Sequence, residues 1–249
     1  MRPAGQNLIP GFHAARETLS QAGDAVREIW IASGKRPGRT RDMIQMAKER
    51  SIPVSFRDPA EFSRLFPGIA HQGVAVVVEE FAYADLNQVA ARAFQGEVYG
   101  LLVVADHITD EGNLGALIRT AAFFGAHGLI IPGDRSASVS ARVLKRSSGA
   151  YVHLPVVRVV NIGRTLDLLK KKGFWIIGAS GEASRSIYGF DWNRDLVLIL
   201  GNEKGGLSRT SQKRCHQMVG IPGSGHVESL NVSVAAGVIL SEIARQRGG

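Results

Sequence analysis

Apolar positions along the chain follow two rhythms, and their alternation outlines two α/β regions. In the first, GFHAARETL (Gly11 to Leu19) repeats its apolar residues at helical spacing, and VREIWIA (Val26 to Ala32) is strand-like. SGKRPGRTR, Ser33 to Arg41, reads as a basic loop punctuated by Gly and Pro. A helix over Asp42 to Arg50 and a short strand around Pro53 to Phe56 follow. QGVAVVV, Gln72 to Val78, reads as a buried strand because it is short, β-branched and bounded by glycine. These elements predict a small α/β domain over residues 1–79. Residues 80–96 carry only the amphipathic stretch ADLNQVAARAF, which reads as a linker with a surface helix.

From Leu101 the alternation is more regular. LLVVA (Leu101 to Ala105) is a strand, Asn113 to Gly125 a helix, and GLII (Gly128 to Ile131) a strand. A basic helix over Ser138 to Ser148 comes next. A strand over Val156 to Val160 leads into a helix over Ile162 to Lys172, with Gly173 as its C-terminal stop. WIIGAS, LVLIL and MVGIP add three strands, and a long helix from Ser229 to Arg247 closes the pattern. Continuous apolar strands alternating with helices predict a parallel sheet covered on both faces, a second α/β domain over residues 97–249.

Composition narrows the class of protein. With 45% hydrophobic and 21% charged residues, the 249-residue chain is neither disordered nor fibrous. No apolar run approaches the roughly 18 residues of a membrane span, and the first residues lack the apolar core of a signal peptide. Cys215 has no cysteine to pair with, and no two of the seven histidines stand four apart, so neither a disulfide nor a metal site is expected. A cytoplasmic, metal-free protein is the expectation. Lys and Arg number 30 against 22 Asp and Glu, a net of +8, which favours a polyanionic partner such as RNA. Lys35, Arg36, Arg39 and Arg41 are the candidate RNA contacts. Lys170 to Lys172, Lys213 and Arg214 read as solvated helix faces.

Three Gly/Asn-rich segments stand at strand ends, where open α/β sheets place their ligand crevices. The first is DHITDEGNLGALIRTAAFFGA, in which Asn113 can cap the helix and Arg119 falls within an otherwise apolar helix. A charge on such a face is costly unless paired or functional. The second is LILGNEKGGLS, where glycines allow close backbone approach and Glu203 supplies a carboxylate. The third is IPGSGHVESLNVSVAAGVIL, in which Ser229 and Asn231 open a helix whose free N–H groups suit a polar ligand. GNEKGG lacks the order of a phosphate-binding P-loop, and GSGHVE lacks the third glycine of a dinucleotide fingerprint.

NLGALIRTA, GNEKGGL and IPGSGHVESLNVSVAAG, in that order, resemble the signature motifs of the SpoU (TrmH) family of S-adenosylmethionine-dependent RNA ribose 2′-O-methyltransferases, in the SPOUT superfamily. GFHAARETL and HQGVAVVV resemble the RNA-binding domain of bacterial members that methylate a guanosine of large-subunit ribosomal RNA. PGDRSASVSARVLKRSSGA and GEASRSIY also resemble that subgroup. One departure is visible: the family commonly has Asp-Pro where Asp110 is followed by Glu111.

The resemblance implies a fold that periodicity does not show, a parallel sheet whose C-terminal segment threads a deep trefoil knot. It further implies a homodimer with the active site completed across the interface, and S-adenosylmethionine as cofactor. Carried over by motif, Arg119 faces the reacting ribose and flanking phosphate. Asn113 positions the arginine or the ribose, and Glu203, Ser229 and Asn231 complete the polar shell. The backbone at Gly201, Ile221 and Leu230 resembles the positions that hold the adenosine end, with Ser180 and Gly181 bordering the same pocket. Arginine is a poor base at its ordinary pKa, so its expected role is to stabilise the developing alkoxide and orient phosphate. The extra N-terminal domain favours ribosomal over transfer RNA. A transfer-RNA ribose methyltransferase and a non-catalytic RNA-binding protein are the alternatives, and the second leaves the Asn113, Arg119, Glu203, Ser229 and Asn231 set unexplained.

Overall fold

The computed structural model describes residues 6–21, 26–34, 37–79, 81–95, 98–202, 205–226 and 229–248. Contacts divide the chain into two units, one of Met1–Ala82 with Val139–Val152, the other of Tyr83–Ser138 with His153–Gly249.

The first unit is built on strands β1 (Gln6–Pro10), β2 (Val26–Ala32), β3 (Val54–Arg57) and β4 (Val74–Glu79) in the order β1-β4-β2-β3. β4 pairs antiparallel with both β1 and β2, and β3 lies parallel to β2. Helices α1 (Phe12–Gln21), α2 (Pro37–Glu49) and α3 (Pro59–Leu65) complete the N-terminal part. α2 begins at Pro37, so the basic stretch expected as a loop to Arg41 is largely helical; proline's fixed φ suits the first helical position. α3 falls where no element was expected. Its start is nevertheless marked, since Asp58 accepts from the Ala60 amide at 2.8 Å and Pro59 follows. Phe62 and Phe66 join Leu8, Trp30, Ala32, Ala75 and Val77 in one apolar cluster, which is what docks α3 on the sheet.

The segment 139–152 also belongs to this unit, although its neighbours in sequence do not. Its helix, Ala141–Arg146, packs near β1 with Val143 and Leu144 buried. The Lys145 ammonium donates to the Ala70 carbonyl, and the Thr18 and Tyr151 hydroxyls lie 2.9 Å apart. Gly149 adopts φ +90°, and a Cβ there would meet the Glu17 side chain at 2.0 Å, so glycine alone fits.

The second unit holds a six-stranded sheet, all parallel. In chain order its elements are α4 (Leu86–Ala93), β5 (Leu101–Asp106), α5 (Glu111–Phe123) and β6 (Gly128–Pro132). After Ala141–Arg146, which is α6, come β7 (Val156–Val159), α7 (Ile162–Lys171), β8 (Trp175–Ala179), β9 (Leu196–Gly201), α8 (Arg209–Gln212), β10 (Gln217–Val219) and α9 (Val232–Gln246). The strand order is β10-β8-β9-β5-β6-β7. All six residues of β5 are buried, which explains its unbroken apolar run. α4 departs from the expected surface helix: Val89, Ala90 and Ala93 are buried and join the core under α7. Gly173, at φ +104°, stops α7 as its position predicts.

The end of α9 is tied down by main-chain oxygens. The Arg247 guanidinium donates to the carbonyls of Tyr99, Trp192 and Arg194 at 2.7–3.1 Å. Gln246 donates to Phe190 O at 3.0 Å and to the Glu242 carboxylate at 2.7 Å. Arg245 grips the same carboxylate with two bonds of 2.8 Å. These donors, those of Arg245 first, hold the Glu242 carboxyl at about 2.

Candidate functional site

The first motif turns out of β5 and starts α5. Asp110, not Asn113, is the cap: its carboxylate accepts from the Asn113 amide at 2.7 Å. Glu111, standing where the family usually has proline, takes the first helical position, where a negative charge meets the positive end of the helix dipole. Asn113 is thereby released from capping. Its Oδ1 accepts from Asn231 Nδ2 at 2.9 Å. Asn231 caps α9, its Oδ1 accepting from the Ser233 amide at 2.9 Å and the Ser233 hydroxyl at 2.6 Å. The cap occupies the Asn231 oxygen, so its NH2 group is left to reach the first motif. α9 starts at Val232, later than expected, and Ser229 lies exposed ahead of it.

Arg119 is exposed, contrary to the expectation of a charge on an apolar face. Leu114, Leu117, Ile118 and Ala121 form the buried side of α5. Six residues separate Asn113 from Arg119, which places them about 120° apart around a helix of 3.6 residues per turn. Glu203, Lys35 and Arg36 lie outside the described residues. Arg39 has a helical backbone in α2, and Arg41 is exposed on the same helix.

The candidate cofactor positions follow three adjacent parallel strands, β9, β8 and β10, so their loops leave one edge of the sheet together. Gly201 ends β9 opposite Asp106 of β5. Asn202 and Gly206 exchange backbone bonds of 3.0 and 2.8 Å, folding the loop back so tightly that a Cβ on Gly201 would sit 2.2 Å from the Gly206 carbonyl carbon. The Ser180 amide donates to Val219 O at 2.9 Å and its hydroxyl accepts from the Glu182 amide at 3.3 Å. Gly181 is exposed, Ile221 is half-buried, and Leu230 is 47% exposed, leaving apolar surface beside these backbones.

A second feature occupies the other side of the same edge. Strand order reverses between β9 and β5, because the chain leaves β5 for β6 and returns beyond it to β8 and β9. Such switch points hold the ligand crevice of an open α/β sheet. A cavity of about 630 Å³ opens here, walled by residues that follow β5, β6, β7 and β9. Asp106 is fully buried; its Oδ2 accepts from the Ser208 amide at 2.7 Å and its Oδ1 meets His107 Nδ1 at 2.6 Å. Asn202 Nδ2 donates to His107 O at 2.9 Å. In the sequence the one mark His107 carries is its place directly after a strand end. His127 and His216 are structural, each accepting a backbone amide at Nδ1, from Leu101 and Ile176, and burial pushes both below the usual imidazole value. Among the described residues no group of three His, Cys, Asp or Glu could hold a metal ion, and no helix is long and apolar enough to cross a membrane.

The parallel sheet with its loops gathered at one edge is an open α/β fold with a ligand crevice, and comparison with known proteins identifies it as a methyltransferase and names the family. Residues 100–241 match the SpoU rRNA Methylase family and residues 8–84 the RNA 2′-O ribose methyltransferase substrate binding family. The chain belongs to the SpoU rRNA methylase family. It is 37% identical over 239 residues to the 23S rRNA (guanosine-2′-O-)-methyltransferase RlmB of Pseudomonas aeruginosa, covering 96% of each. It is 39% identical over 244 residues to an uncharacterized tRNA/rRNA methyltransferase of Synechocystis, covering 97% of this chain and 63% of that relative. Among solved structures, the SpoU methyltransferase AviRb from Streptomyces viridochromogenes in complex with AdoMet is similar, with a TM-score of 0.83 and 28% identity over 99% of this chain and 92% of that one.

Proposed function

We propose that the protein transfers a methyl group from S-adenosylmethionine to the 2′-hydroxyl of a guanosine in large-subunit (23S) ribosomal RNA, acting in the cytoplasm. The observation that carries the reading is the 2.9 Å bond between Asn231 and Asn113, which joins the third motif to the first in a chain of this family. The backbone at Gly201, Ile221 and Leu230 would hold the adenosyl end, with Ser180 and Gly181 at its border. The clustering of their loops at one sheet edge and the apolar surface of Ile221 and Leu230 fit such a group. When bound, the cofactor supplies a methyl on sulfonium whose leaving group is a neutral thioether, so the transfer needs no metal.

The protein's own part is to orient the ribose and to favour loss of its hydroxyl proton as attack proceeds. Asn113, Asn231, Ser229 and Glu203 form the polar shell around the ribose. Arg119 stabilises the developing alkoxide and grips the flanking phosphate. Because Arg119 stands on a different face of α5 from Asn113, the two serve one ribose most simply when Arg119 comes from a second copy. The exposed Phe123 and Val234 on α5 and α9 support that homodimer, with the active site completed across its interface. Entry of β9 between β8 and β5, with β10 outside β8, supports the trefoil knot. Residues 1–79, with 139–152 in the same unit, serve as the RNA-binding domain, 80–96, whose α4 packs into the second unit's core, as the connection, and the rest of 97–249 as the catalytic domain. The exposed Arg41 and the net charge of +8 support RNA as partner.

The test is methyl transfer from labelled S-adenosylmethionine to 23S ribosomal RNA and to bulk transfer RNA, with the modified nucleotide mapped. A single 2′-O-methylguanosine in 23S RNA, formed in the presence of chelator, is the expected product. Labelling of transfer RNA alone overturns the substrate, and a folded protein that binds no S-adenosylmethionine by calorimetry overturns the activity.

A further inference from the structure

The cavity at the β9–β5 switch point lies outside the residues assigned to the cofactor. Its about 630 Å³ falls within the range of roughly 300–1,000 Å³ typical of small-ligand pockets. Pro132, Val160 and Ile162 give it apolar wall, and Val160 is 96% exposed at that wall. His107, Thr109, Asn202 and Thr210 line it with hydrogen-bonding groups, and among the described residues its charged side chains, Asp134 and Arg135, are one of each sign. Walls that balance in charge and mix apolar with hydrogen-bonding groups suit an uncharged heterocycle better than a phosphate.

His107 is the built element of this pocket. The fully buried Asp106 clamps its Nδ1, and the Ser208 amide in turn fixes Asp106. In the tautomer whose Nδ1–H donates to the carboxylate, Nε2 is the nitrogen left to accept. Among the described residues Nε2 has no hydrogen-bond partner. Both His107 and Arg135 line the cavity with left-handed backbone, φ +58° and +48°. Conformations of that kind in non-glycine residues are costly and gather at ligand sites. Location ties the pocket to the reaction. Asn202, Gly205 and Gly206, on its wall, belong to the second motif, and Thr109 leads directly into the cap of the helix that carries Asn113.

Resting on the RNA-methyltransferase reading above, we infer that this cavity receives the base of the nucleotide being methylated, with His107 Nε2 accepting an N–H from its edge and Val160 and Pro132 packing on its face. Guanine carries such donors on its Watson–Crick edge. Bases splayed out of single-stranded RNA are read in this way, by face contact and edge hydrogen bonds. The base would then set the position of its own ribose beside Asn113, while the cofactor approaches from the β8–β10 side of the same loop.

The experiment is a two-by-two comparison using a synthetic RNA that carries the mapped target either as guanosine or as an abasic ribose. Asparagine tolerates left-handed backbone, so His107→Asn keeps the turn while removing the ring. Wild type is expected to lose about 10-fold or more in kcat/KM on the abasic RNA. His107→Asn should lose about 3- to 10-fold on guanosine, the size of one hydrogen bond, and almost nothing on the abasic RNA. Val160→Arg, which leaves the Asp106–His107 pair intact, should raise KM for the guanosine RNA with S-adenosylmethionine affinity unchanged. Equal methylation of both RNAs by wild type, or equal losses on both by the variants, overturns the pocket assignment alone. Failure of wild type to bind cofactor or to methylate either RNA overturns the activity on which the assignment rests.

Discussion

The two sides of the sheet edge in the second unit are built from different materials. On the β10-β8-β9 side the candidate groups are backbone atoms, those at Gly201, Ser180 and Gly181 set by tight turns and that at Ile221 following β10. On the β5-β6-β7 side they are side chains, His107 and its buried partner Asp106 above all, facing a cavity. A ligand common to many enzymes can be held by main chain, which tolerates changes of side chain. A ligand that distinguishes one enzyme from another calls for side chains that can differ. The difference teaches that main chain suits the shared half of the site, while the half proposed to select substrate adds side chains, His107 and Val160 among them, to loops that also carry the first and second motifs.

Arg119 sharpens this division most. Arg119→Ala should cut methyl transfer by about 100- to 1000-fold, the usual cost of one preorganised charge-stabilising donor, with cofactor affinity near wild type. Single-turnover kinetics beside calorimetry would separate the two, and parallel loss of both would move Arg119 from chemistry to scaffolding. The main-chain side is probed by Gly201→Ala. A Cβ 2.2 Å from the Gly206 carbonyl carbon forces the turn to shift, an overpacking cost of about 1–3 kcal/mol. The expected outcome is S-adenosylmethionine binding weakened about tenfold with a lowered Tm, and unchanged binding would detach this turn from the cofactor. Glu242 lies away from both sides and gives the smallest effect on activity. Its folded value of about 2 is below the ordinary 4.5, so it stabilises the fold above pH 4.5 and that contribution fades as pH falls towards 2. Thermal melts of Glu242→Gln should show a lower Tm at neutral pH and a shallower decline between pH 4.5 and 2, while the G-versus-abasic preference stays as in wild type.

What could be read from the residues follows the strength of their physical signals. Central parallel strands such as LLVVA and LVLIL are buried on both faces, and their unbroken apolar runs are plain. β1 was invisible: QNLIP has two apolar side chains between polar residues and a proline, a composition that only an edge strand tolerates. α4 looked like surface because its eight residues bury only Val89, Ala90 and Ala93. At the site, the motifs pointed to Asn113 and Asn231, but not to the bond between them, which depends on Asp110 taking the cap. The exposure of Arg119 was lost because the apolar character of α5 was averaged around the helix. Asp106 and His107 were passed over because a lone histidine after a strand has no spacing to announce it; its meaning lies in a carboxylate next to it and in strands far away in sequence.

The first unit is completed by a piece of chain that lies 70 residues past its N-terminal part, since Val152 follows Ala82 by that distance. At a synthesis rate of roughly 5–20 residues per second, a ribosome takes about 4 to 14 seconds to make that stretch. During this interval β1 and the Ala70 carbonyl wait for Ala141–Arg146, and β5, α5 and β6 emerge with no β9 to cover their open flank. The nascent protein therefore carries two unfinished folds at once. Its birth is a period of exposed strand edges, and an insertion in a loop of the stretch 83–138, outside β5 and β6, would prolong it without touching either finished sheet.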